Sequence, residues 1–301
     1  KRGYASFIKC ESCGKPIRCP HCDVTLTYHK AENRLKCHLC EYFTSVPQVC
    51  PECGSTHLKK IGYGTQKIEE ELEKKYPDAR IIRFDFDTTR NKNTHLKLLK
   101  DFEEHKADIM LGTQMIAKGL DFSNVTFVGV LMADLSLMVP DFRASERTFQ
   151  LLCQVAGRSG RGDKQGTVMI QTFNPEHYAI KAAVKQDYEA FFKEEMLFRK
   201  KAKYPPFCHL VSVIVQSRTP KNVHLTALDI SKCLKEHLEK VRIIGPQPAF
   251  KMQDIYRERI LIKYIESKPI YEQLSLIDDY YNRTRKGGVI VACDFNPYST
   301  Y

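Results

Sequence analysis

The clearest fold signal lies in two stretches, Gly112-Thr-Gln-Met-Ile-Ala-Lys-Gly-Leu-Asp-Phe122 and Gln154-Val-Ala-Gly-Arg-Ser-Gly-Arg-Gly162. Between them runs a nearly continuous apolar segment, residues 125–133. This segment predicts a strand that is buried on both faces, as in a parallel sheet covered by helices. A loop with glycine, threonine and aspartate, followed by a helix that ends in two arginines, suits the chemistry of nucleotide phosphates. Glycine lets backbone approach a ligand closely, and arginine is a planar, bidentate clamp for phosphate.

The segments around these stretches alternate between strand and helix patterns. Residues 80–87 predict a strand that runs into a loop, where we expect Asp85 and Asp87 to make loop hydrogen bonds and helix caps rather than bind metal. A helix from about Thr94 to His105 should point Leu96, Leu99 and Phe102 inward. Strands at 108–111 and 166–172 and one long helix near 176–203 follow. Such alternation predicts an α/β fold with a parallel sheet.

The motif Tyr204-Pro-Pro-Phe207 marks a boundary, after which the order of predicted elements changes to β-α-β-β-α-β. That order is typical of a small ferredoxin-like α+β layer. Basic and aromatic residues concentrate on and just before the strand predicted at 259–265, which suggests a nucleic-acid face built from Tyr256, Arg257, Arg259, Lys263 and Tyr264. Packing of the tyrosines inside the domain is the alternative.

Eight of the twelve cysteines form four Cys-x-x-Cys pairs, Cys10/Cys13, Cys19/Cys22, Cys37/Cys40 and Cys50/Cys53. Each pair makes a tight knuckle that aims two thiolates at one point, and two knuckles complete a tetrahedron around Zn²⁺. The 14 residues between the inner pairs carry the alternating pattern of a hairpin, which would bring those pairs together. The outer pairs then share a second ion. Four sulfurs leave no open position for a substrate, so we predict two structural zinc ions, with a redox role as the alternative.

The overall composition is that of a soluble, basic protein with two or three domains. Hydrophobic residues make up 43% of the 301 residues, and the formal net charge is +11. The charge stays positive after eight thiolates and two Zn²⁺ are counted, which favours a polyanionic partner. No apolar run approaches the length of a membrane span, and the N-terminus lacks a signal-peptide profile, so we predict no membrane partner.

The two stretches and the cysteine array together resemble a known family. Gly112–Phe122 looks like motif V, and Gln154–Arg161 like motif VI, of superfamily 2 helicases. The longer run from Asp141 to Arg161, with the cysteine pairs upstream, resembles the PriA (primosomal protein N′) family of replication-restart helicases along essentially the whole chain. The resemblance implies a RecA-like helicase lobe 2 over residues 1–9 and 58–204, an inserted zinc-binding module over 10–57, and a C-terminal α+β domain over 205–301. Because the chain begins with Lys1 rather than Met, we expect it to be the C-terminal portion of a longer protein.

The resemblance also assigns roles to the residues of motif V. Thr113 and Gln114 match positions near the DNA backbone. Gly119 and Asp121 match the Gly-x-Asp that meets the nucleotide.

The motif VI residues would act on ATP. Arg158 and Arg161 match the motif VI arginines, of which at least one should serve as an arginine finger that stabilises charge on the transferred phosphoryl group. Gln154 holds the first motif VI position and would couple ATP to DNA.

Two motifs of a complete ATPase are absent from the sequence. There is no Gly-x-x-x-x-Gly-Lys-Ser/Thr, which cradles phosphates, and no Asp-Glu dipeptide to hold magnesium. The chain therefore supplies half of an ATPase cleft, and we predict that it is inactive alone.

The Cys-x-x-Cys pairs beside a helicase-like segment, without a secretion signal, indicate a reducing compartment rather than disulfides, so we predict a cytoplasmic protein. The resemblance implies that the full-length protein is an ATP- and Mg²⁺-dependent 3′–5′ DNA helicase that recognises stalled or abandoned replication forks and promotes primosome assembly. Its partners would be branched and single-stranded DNA, primosome and helicase-loader proteins, and single-stranded DNA-binding protein. Two alternatives from other classes remain: a zinc-dependent DNA- or loader-binding module without motor activity, and a redox scaffold built on the Cys-x-x-Cys pairs.

Overall fold

The computed structural model describes residues 7–29, 32–37, 39–61, 64–85, 92–117, 124–157, 166–283 and 288–300. The chain divides into two units. Unit 1 comprises residues 1–128 and 157–167, and unit 2 comprises residues 129–156 and 168–301. In the part of the chain that the structure describes, no helix combines the length and the hydrophobicity that a membrane span requires.

The cysteine-rich region at the start of unit 1 contains two small antiparallel sheets. In the first, β1 (Phe7–Cys10) pairs with β5 (Leu58–Ile61). The second sheet consists of β2 (Thr27–His29), β3 (Arg34–Lys36) and β4 (Phe43–Ser45), in that order. The predicted hairpin is thus present as β2 and β3, with Tyr28 opposite Leu35 and both side chains buried.

Unit 1 continues with an α/β segment made of α1 (Thr65–Lys75), β6 (Ile81–Phe84), α2 (Lys92–Glu103) and β7 (Ile109–Gly112). Strands β6 and β7 are parallel, and their carboxyl ends meet where Phe84 lies opposite Gly112. At their amino ends the Arg80 guanidinium donates two hydrogen bonds to the Asp108 carboxylate, which holds the pKa of that carboxyl well below its usual range. The parallel pairing agrees with the α/β prediction.

The inward stripe of α2 differs from the prediction at one position. Leu99 and Phe102 are half-buried as expected, but Leu96 is 66% exposed. The stripe instead includes His95, whose ring lies 4.8 Å from that of Phe84. His95, Leu99 and Phe102 follow the i, i+4, i+7 spacing of one helical face, and Leu96 falls just beside it.

The apolar run after motif V forms a shorter and more exposed strand than predicted. Strand β8 (Phe127–Val130) is followed in the chain by the short helix α3 (Asp134–Leu137), by helix α4 (Ala144–Ala156) and by strand β9 (Thr167–Ile170). Strands β8 and β9 pair with each other. The expectation of burial on both faces is wrong for the described residues, because Phe127 is 57% exposed while Val130 packs against the core of unit 2. A two-stranded ribbon here has only one packed face. In the described residues β6–β7 and β8–β9 are separate two-stranded sheets rather than one continuous sheet.

The long helix predicted near 176–203 is in fact two helices, α5 (Tyr178–Lys185) and α6 (Tyr188–Ala202). The chain breaks where Gln186 adopts a left-handed conformation (φ 53°), and the Asp187 carboxylate then caps α6 by accepting a hydrogen bond from the Ala190 amide. A left-handed residue followed by an aspartate N-cap is a common way to end one helix and begin another. Helices α4, α5 and α6 share a core in which the rings of Phe149 and Phe191 stack at 4.2 Å.

A buried ion-pair network fixes α4 against α5 and α6. The carboxylate of Glu195 accepts hydrogen bonds from Arg199 Nε and from the Tyr178 hydroxyl, each at 2.7 Å. The guanidinium of Arg199 also donates to Glu146 on α4 at 2.6 Å and lies over the ring of Phe142. All of these contacts are within unit 2, so they set the orientation of the helix that leads into motif VI.

We expect Glu195→Ala to lower the free energy of unfolding by about 3–5 kcal/mol, because it removes one of the two carboxylates, Glu195 and Glu146, that pair with the buried Arg199 cation. Urea denaturation of the 301-residue chain measures this. Glu194→Ala is the matched control, since Glu194 is exposed on the same helix and its loss should change stability by no more than about 0.5 kcal/mol. Equal stability of the two variants would contradict a structural role for the network.

The C-terminal part of unit 2 has the predicted β-α-β-β-α-β order of elements: β10 (His209–Ser217), α7 (Pro220–His237), β11 (Arg242–Met252), β12 (Ile255–Tyr264), α8 (Ser267–Asp278) and β13 (Ile290–Phe295). A π-helical turn, Asp279–Arg283, follows α8. The four strands form one sheet in the order β11-β12-β10-β13, and every neighbouring pair is antiparallel. A core of aliphatic side chains, including Val213, Ile230, Ile260 and Ile270, joins α7 and α8 to one face.

The basic and aromatic residues of β12 do not share a face, which corrects the suggested nucleic-acid surface there. Successive side chains of a strand point to opposite faces. Tyr264 is buried in the core under the helices, whereas Lys263 lies on the opposite face. The Lys263 ammonium donates to the Ala202 carbonyl at 2.9 Å and sits 3.3 Å from the ring centre of Tyr204. This buried lysine joins the sheet to the end of α6.

Candidate metal centres and functional site

The eight paired cysteines gather into two groups of four, which are the two sets predicted from their spacing. The outer set is Cys10, Cys13, Cys50 and Cys53, and the inner set is Cys19, Cys22, Cys37 and Cys40. Within each set all four Sγ atoms lie within 4.8 Å of one another. The sets are nested, because the whole inner set lies in the stretch of chain between the two halves of the outer set.

The spacing of the sulfurs fits a tetrahedral zinc site. With Zn–S bonds of about 2.3 Å, the sulfurs of a regular tetrahedron lie about 3.8 Å apart. The Sγ–Sγ distances are 3.7 Å for Cys10–Cys53 and Cys13–Cys50, and 3.6 Å for Cys19–Cys40. A disulfide would need about 2.05 Å. Both clusters could therefore hold a zinc ion, as in a zinc ribbon.

The knuckle backbones explain how the sequence builds these sets. In the outer set the amides of Gly14 and Gly54 donate to the carbonyls of Cys10 and Cys50, and both glycines have a φ of 73°. This left-handed conformation favours glycine, because a Cβ is strained there. The corresponding turn of the inner set is completed by Glu41, also at positive φ.

The thiols of the outer set differ in acidity. The backbone amide of Cys13 is the main cause that lowers the pKa of Cys10 to about 6. A hydrogen bond from the Ser55 backbone lowers the pKa of Cys53. Desolvation and the neighbouring thiols of Cys13, Cys10 and Cys50 act in the opposite direction and together raise this pKa to about 12. A cation bound among four thiols displaces their remaining protons, so metal uptake by this set is coupled to proton release.

The start of motif V lies at the carboxyl end of the parallel strands β6 and β7. Gly112 is the last residue of β7, and a Cβ there would overlap the carbonyl oxygen of Phe84, so only glycine fits. Thr113 follows half-buried, and Gln114 is exposed at the start of a 3₁₀ turn. Ligands of open α/β sheets bind beyond the carboxyl ends of the strands, and both side chains lie at this edge of the sheet. Gly119 and Asp121 lie outside the described residues.

The neighbouring strand end carries a buried carboxylate. Asp85, which is 1% exposed, directly follows β6 and accepts a hydrogen bond from the hydroxyl of Thr65, the first residue of α1, at 2.7 Å. It also pairs with Arg83 at 3.1 Å. Asp85 therefore anchors the start of α1, in line with the expected hydrogen-bonding role, while Asp87 lies outside the described residues.

The motif VI segment is described only as far as residue 157. Gln154 is exposed on the last turn of α4, and Arg158 and Arg161 lie outside the described residues.

The amino end of α4 is held by the end of the chain, which the sequence did not predict. Arg143 donates to the carbonyl oxygens of Pro297 and Tyr298, and Arg147 donates to the Tyr298 carbonyl at 2.6 Å. The buried carboxylate of Asp141 accepts a hydrogen bond from the amide of Thr300 at 3.0 Å. We call this set the C-terminal clasp. The only sequence signal for it is the concentration of charge just before α4.

Three family models match successive parts of the chain. Residues 19–43 match the PriA DNA helicase Cys-rich region domain, residues 57–163 match the helicase conserved C-terminal domain, and residues 200–298 match the primosomal protein N C-terminal domain. The first match contains the inner thiol set, and the second contains motif V and the motif VI segment.

Several bacterial proteins, each named replication restart protein PriA, are similar along nearly the whole chain. The protein of Bacillus subtilis (strain 168) is 48% identical over 302 residues, which cover 99% of this chain and 38% of the relative. That of Chlamydia pneumoniae is 44% identical over 91% of this chain and 37% of its own length. That of Synechocystis is 42% identical over 88% and 33%. The chain thus spans less than two fifths of the length of these relatives. The ordered family matches and this similarity show that the chain belongs to the PriA family of replication-restart helicases, of which it carries the helicase C-terminal, Cys-rich and C-terminal domains.

Proposed function

We propose that the chain is the C-terminal part of an ATP-dependent 3′–5′ DNA helicase, and that the full-length protein recognises stalled or abandoned replication forks and promotes primosome assembly. The observation that carries this proposal is the 48% sequence identity, over 99% of the chain, to a protein named for replication restart. The position of Gly112, the first residue of motif V, at the carboxyl end of a parallel strand pair agrees with it. Helicase lobe 2 would comprise residues 1–9 and 58–204, with the zinc-binding module, 10–57, inserted in it. The C-terminal domain, 205–301, would be ferredoxin-like, which its strand order β11-β12-β10-β13 supports.

Both thiol sets would bind a structural Zn²⁺, the outer set one ion and the inner set the other. Two observations support this. The Sγ–Sγ distances are 3.6–3.7 Å, and all four sulfurs of each set lie within 4.8 Å of one another. Zinc with four protein ligands has no open position for a substrate, so its role is to hold the knuckles together.

The nucleotide site would need the rest of the protein. In this proposal Gly119 and Asp121 meet the nucleotide, Arg158 and Arg161 act on its phosphates, Gln154 couples nucleotide to DNA, and ATP with Mg²⁺ is held by a second lobe. Thr113 and Gln114 would contact the DNA backbone, which suits their place beyond β7. The partners would be branched and single-stranded DNA, helicase-loader proteins of the primosome and single-stranded DNA-binding protein, in the bacterial cytoplasm.

DNA binding tests the proposal directly. Because the chain has a formal net charge of +11, we expect its affinity for forked or single-stranded DNA to fall about tenfold or more between 50 and 200 mM salt, as for about two to three phosphate contacts on a single strand. Fluorescence anisotropy with labelled forks measures this, and preference for forks over duplex is measured with the full-length protein. Affinity that does not change with salt, or an equal affinity for duplex, would contradict the proposal.

A second candidate function is a zinc-dependent DNA- or loader-binding module without motor activity. The observations in its favour are the two thiol sets and the formal net charge of +11, neither of which requires a nucleotide site. Crosslinking of a photoreactive ATP analogue to Arg158 or Arg161 in the full-length protein separates the two. A motor predicts the crosslink, and a module predicts none.

A further inference from the structure

One face of the three-stranded sheet β2-β3-β4 points away from the buried side of the cysteine-rich region. Strand alternation and register place six side chains on it: Thr27, His29, Arg34, Lys36, Phe43 and Ser45. We call this set the ribbon face. The side chains between them, Tyr28 and Leu35, are buried on the opposite side.

The ribbon face combines an exposed aromatic ring with cations. Phe43 is 59% exposed, although it lies in a module whose other aromatic strand residue, Tyr28, is buried. The guanidinium of Arg34 lies 5.2 Å from the centre of the Phe43 ring, and Lys36 is directly opposite Phe43 in the register. None of the six residues of the face is acidic. An exposed aromatic ring beside two cations suits a ligand that combines a flat ring, which stacks, with a negative charge close to that ring.

We infer that the ribbon face binds single-stranded nucleic acid, with one base stacked on Phe43 and the flanking phosphates held by Arg34 and Lys36. This inference rests on the proposed function, and it adds a contact surface within the zinc module to the motif V positions. Stacking on an aromatic ring needs an unpaired base, because the faces of bases inside a duplex are already covered. Proteins that bind single strands use this pairing of a stacking ring with backbone-tracking cations. An acidic peptide would pair its carboxylates with the two cations but would offer no flat surface to the Phe43 ring, whereas a nucleotide supplies a base and a phosphate together.

The two kinds of contact predict different effects of salt. Stacking releases no counterions, so Phe43→Ala should lower the affinity about fivefold or more at every salt concentration and leave the salt slope unchanged. Arg34→Gln should instead reduce the slope of log K against log salt by about 0.7, the value for one lost phosphate contact on a single strand. The probe is fluorescein-labelled oligothymidylate of about 15 nucleotides, a length that spans a typical single-strand site.

Matched controls come from the cysteine-rich region, which includes β1. Val49→Ala removes an apolar side chain that is 47% exposed, and Lys9→Gln removes one charge from an exposed position on β1. The affinity of Val49→Ala and the salt slope of Lys9→Gln should remain those of the unaltered chain. All variants are tested as the zinc-loaded 301-residue chain, and equal zinc content shows that the module is intact.

Two further variants separate stacking from folding and from simple apolar contact. Phe43→Tyr keeps a stacking ring and should bind like the unaltered chain, whereas Phe43→Leu keeps apolar bulk without a ring and should bind as weakly as Phe43→Ala. If Phe43→Leu binds normally, or if the Phe43 and Arg34 variants match their controls while the unaltered chain shows salt-dependent binding, the ribbon-face inference fails and the proposed function stands. If the unaltered chain binds no oligothymidylate at any salt concentration, both fail together.

Discussion

Replacement of Arg161 by alanine in the full-length protein is expected to lower DNA-stimulated ATP hydrolysis about 10³–10⁵-fold while leaving fork binding nearly unchanged. This factor corresponds to about 4–7 kcal/mol of transition-state stabilisation. The reason is a division of labour across a cleft, in which an arginine finger acts on a nucleotide that the other side holds. Lysine at the same position should rescue poorly, since a point charge cannot reproduce the planar, bidentate guanidinium.

The isolated 301-residue chain should hydrolyse no ATP, because its sequence lacks both the phosphate-cradling loop and the Asp-Glu carboxylate. Steady-state turnover with saturating fork DNA measures both expectations. Arg218→Ala is the matched control in the full-length protein, since it removes the same charge from an exposed position of the C-terminal part. Turnover by the isolated chain would refute the first expectation, and near-normal turnover by the Arg158→Ala, Arg161→Ala double variant would refute the second.

The second large effect is expected at the inner thiol set. Cys37→Ser should remove one of two zinc ions per chain and unfold β2, β3 and β4, because the free energy of a structural zinc site, about 10–16 kcal/mol, is largely folding free energy. The core of unit 2 contains none of these ligands and should persist. Metal analysis gives the stoichiometry, and hydrogen exchange across residues 19–45 locates the unfolding.

Cys233→Ser is the matched control, because Cys233 lies on α7 and belongs to neither thiol set. It should retain two zinc ions. Two zincs in Cys37→Ser, or only one in the unaltered chain, would show that the sets do not bind metal as proposed.

The features that local spacing controls were predictable from the sequence. The Cys-x-x-Cys knuckles, the hairpin of β2 and β3, and the positive φ of Gly14 and Gly54 all depend on residues close together in the chain. The β-α-β-β-α-β order also follows from short-range periodicity. The sets of thiols then follow from nesting, because the inner hairpin brings its own pairs together and leaves the outer pairs to each other.

The features that depend on distant packing were not predictable. The C-terminal clasp joins Arg143 to Pro297 and Tyr298, more than 150 residues away, through backbone carbonyls that have no sequence signature. Exposure of Phe127 depends on which face of β8 the helices cover, and an apolar run is the same for either outcome. The break between α5 and α6 rests on a left-handed Gln186, a conformation for which glycine or asparagine would have been the usual signal.

The nested arrangement of the thiol sets also orders the assembly of the module. Closing the inner set fixes a loop of 14 residues between Cys22 and Cys37, whereas the outer set must close 36 residues between Cys13 and Cys50. Loop-closure entropy rises by about 0.6 kcal/mol per doubling of length, so the outer ring costs about 0.8 kcal/mol more when it forms first. Once the inner ring is closed, it shortens the path between the outer knuckles and most of this difference disappears. Metal uptake should therefore begin at the inner set and finish at the outer set, which lies next to the paired strands β1 and β5.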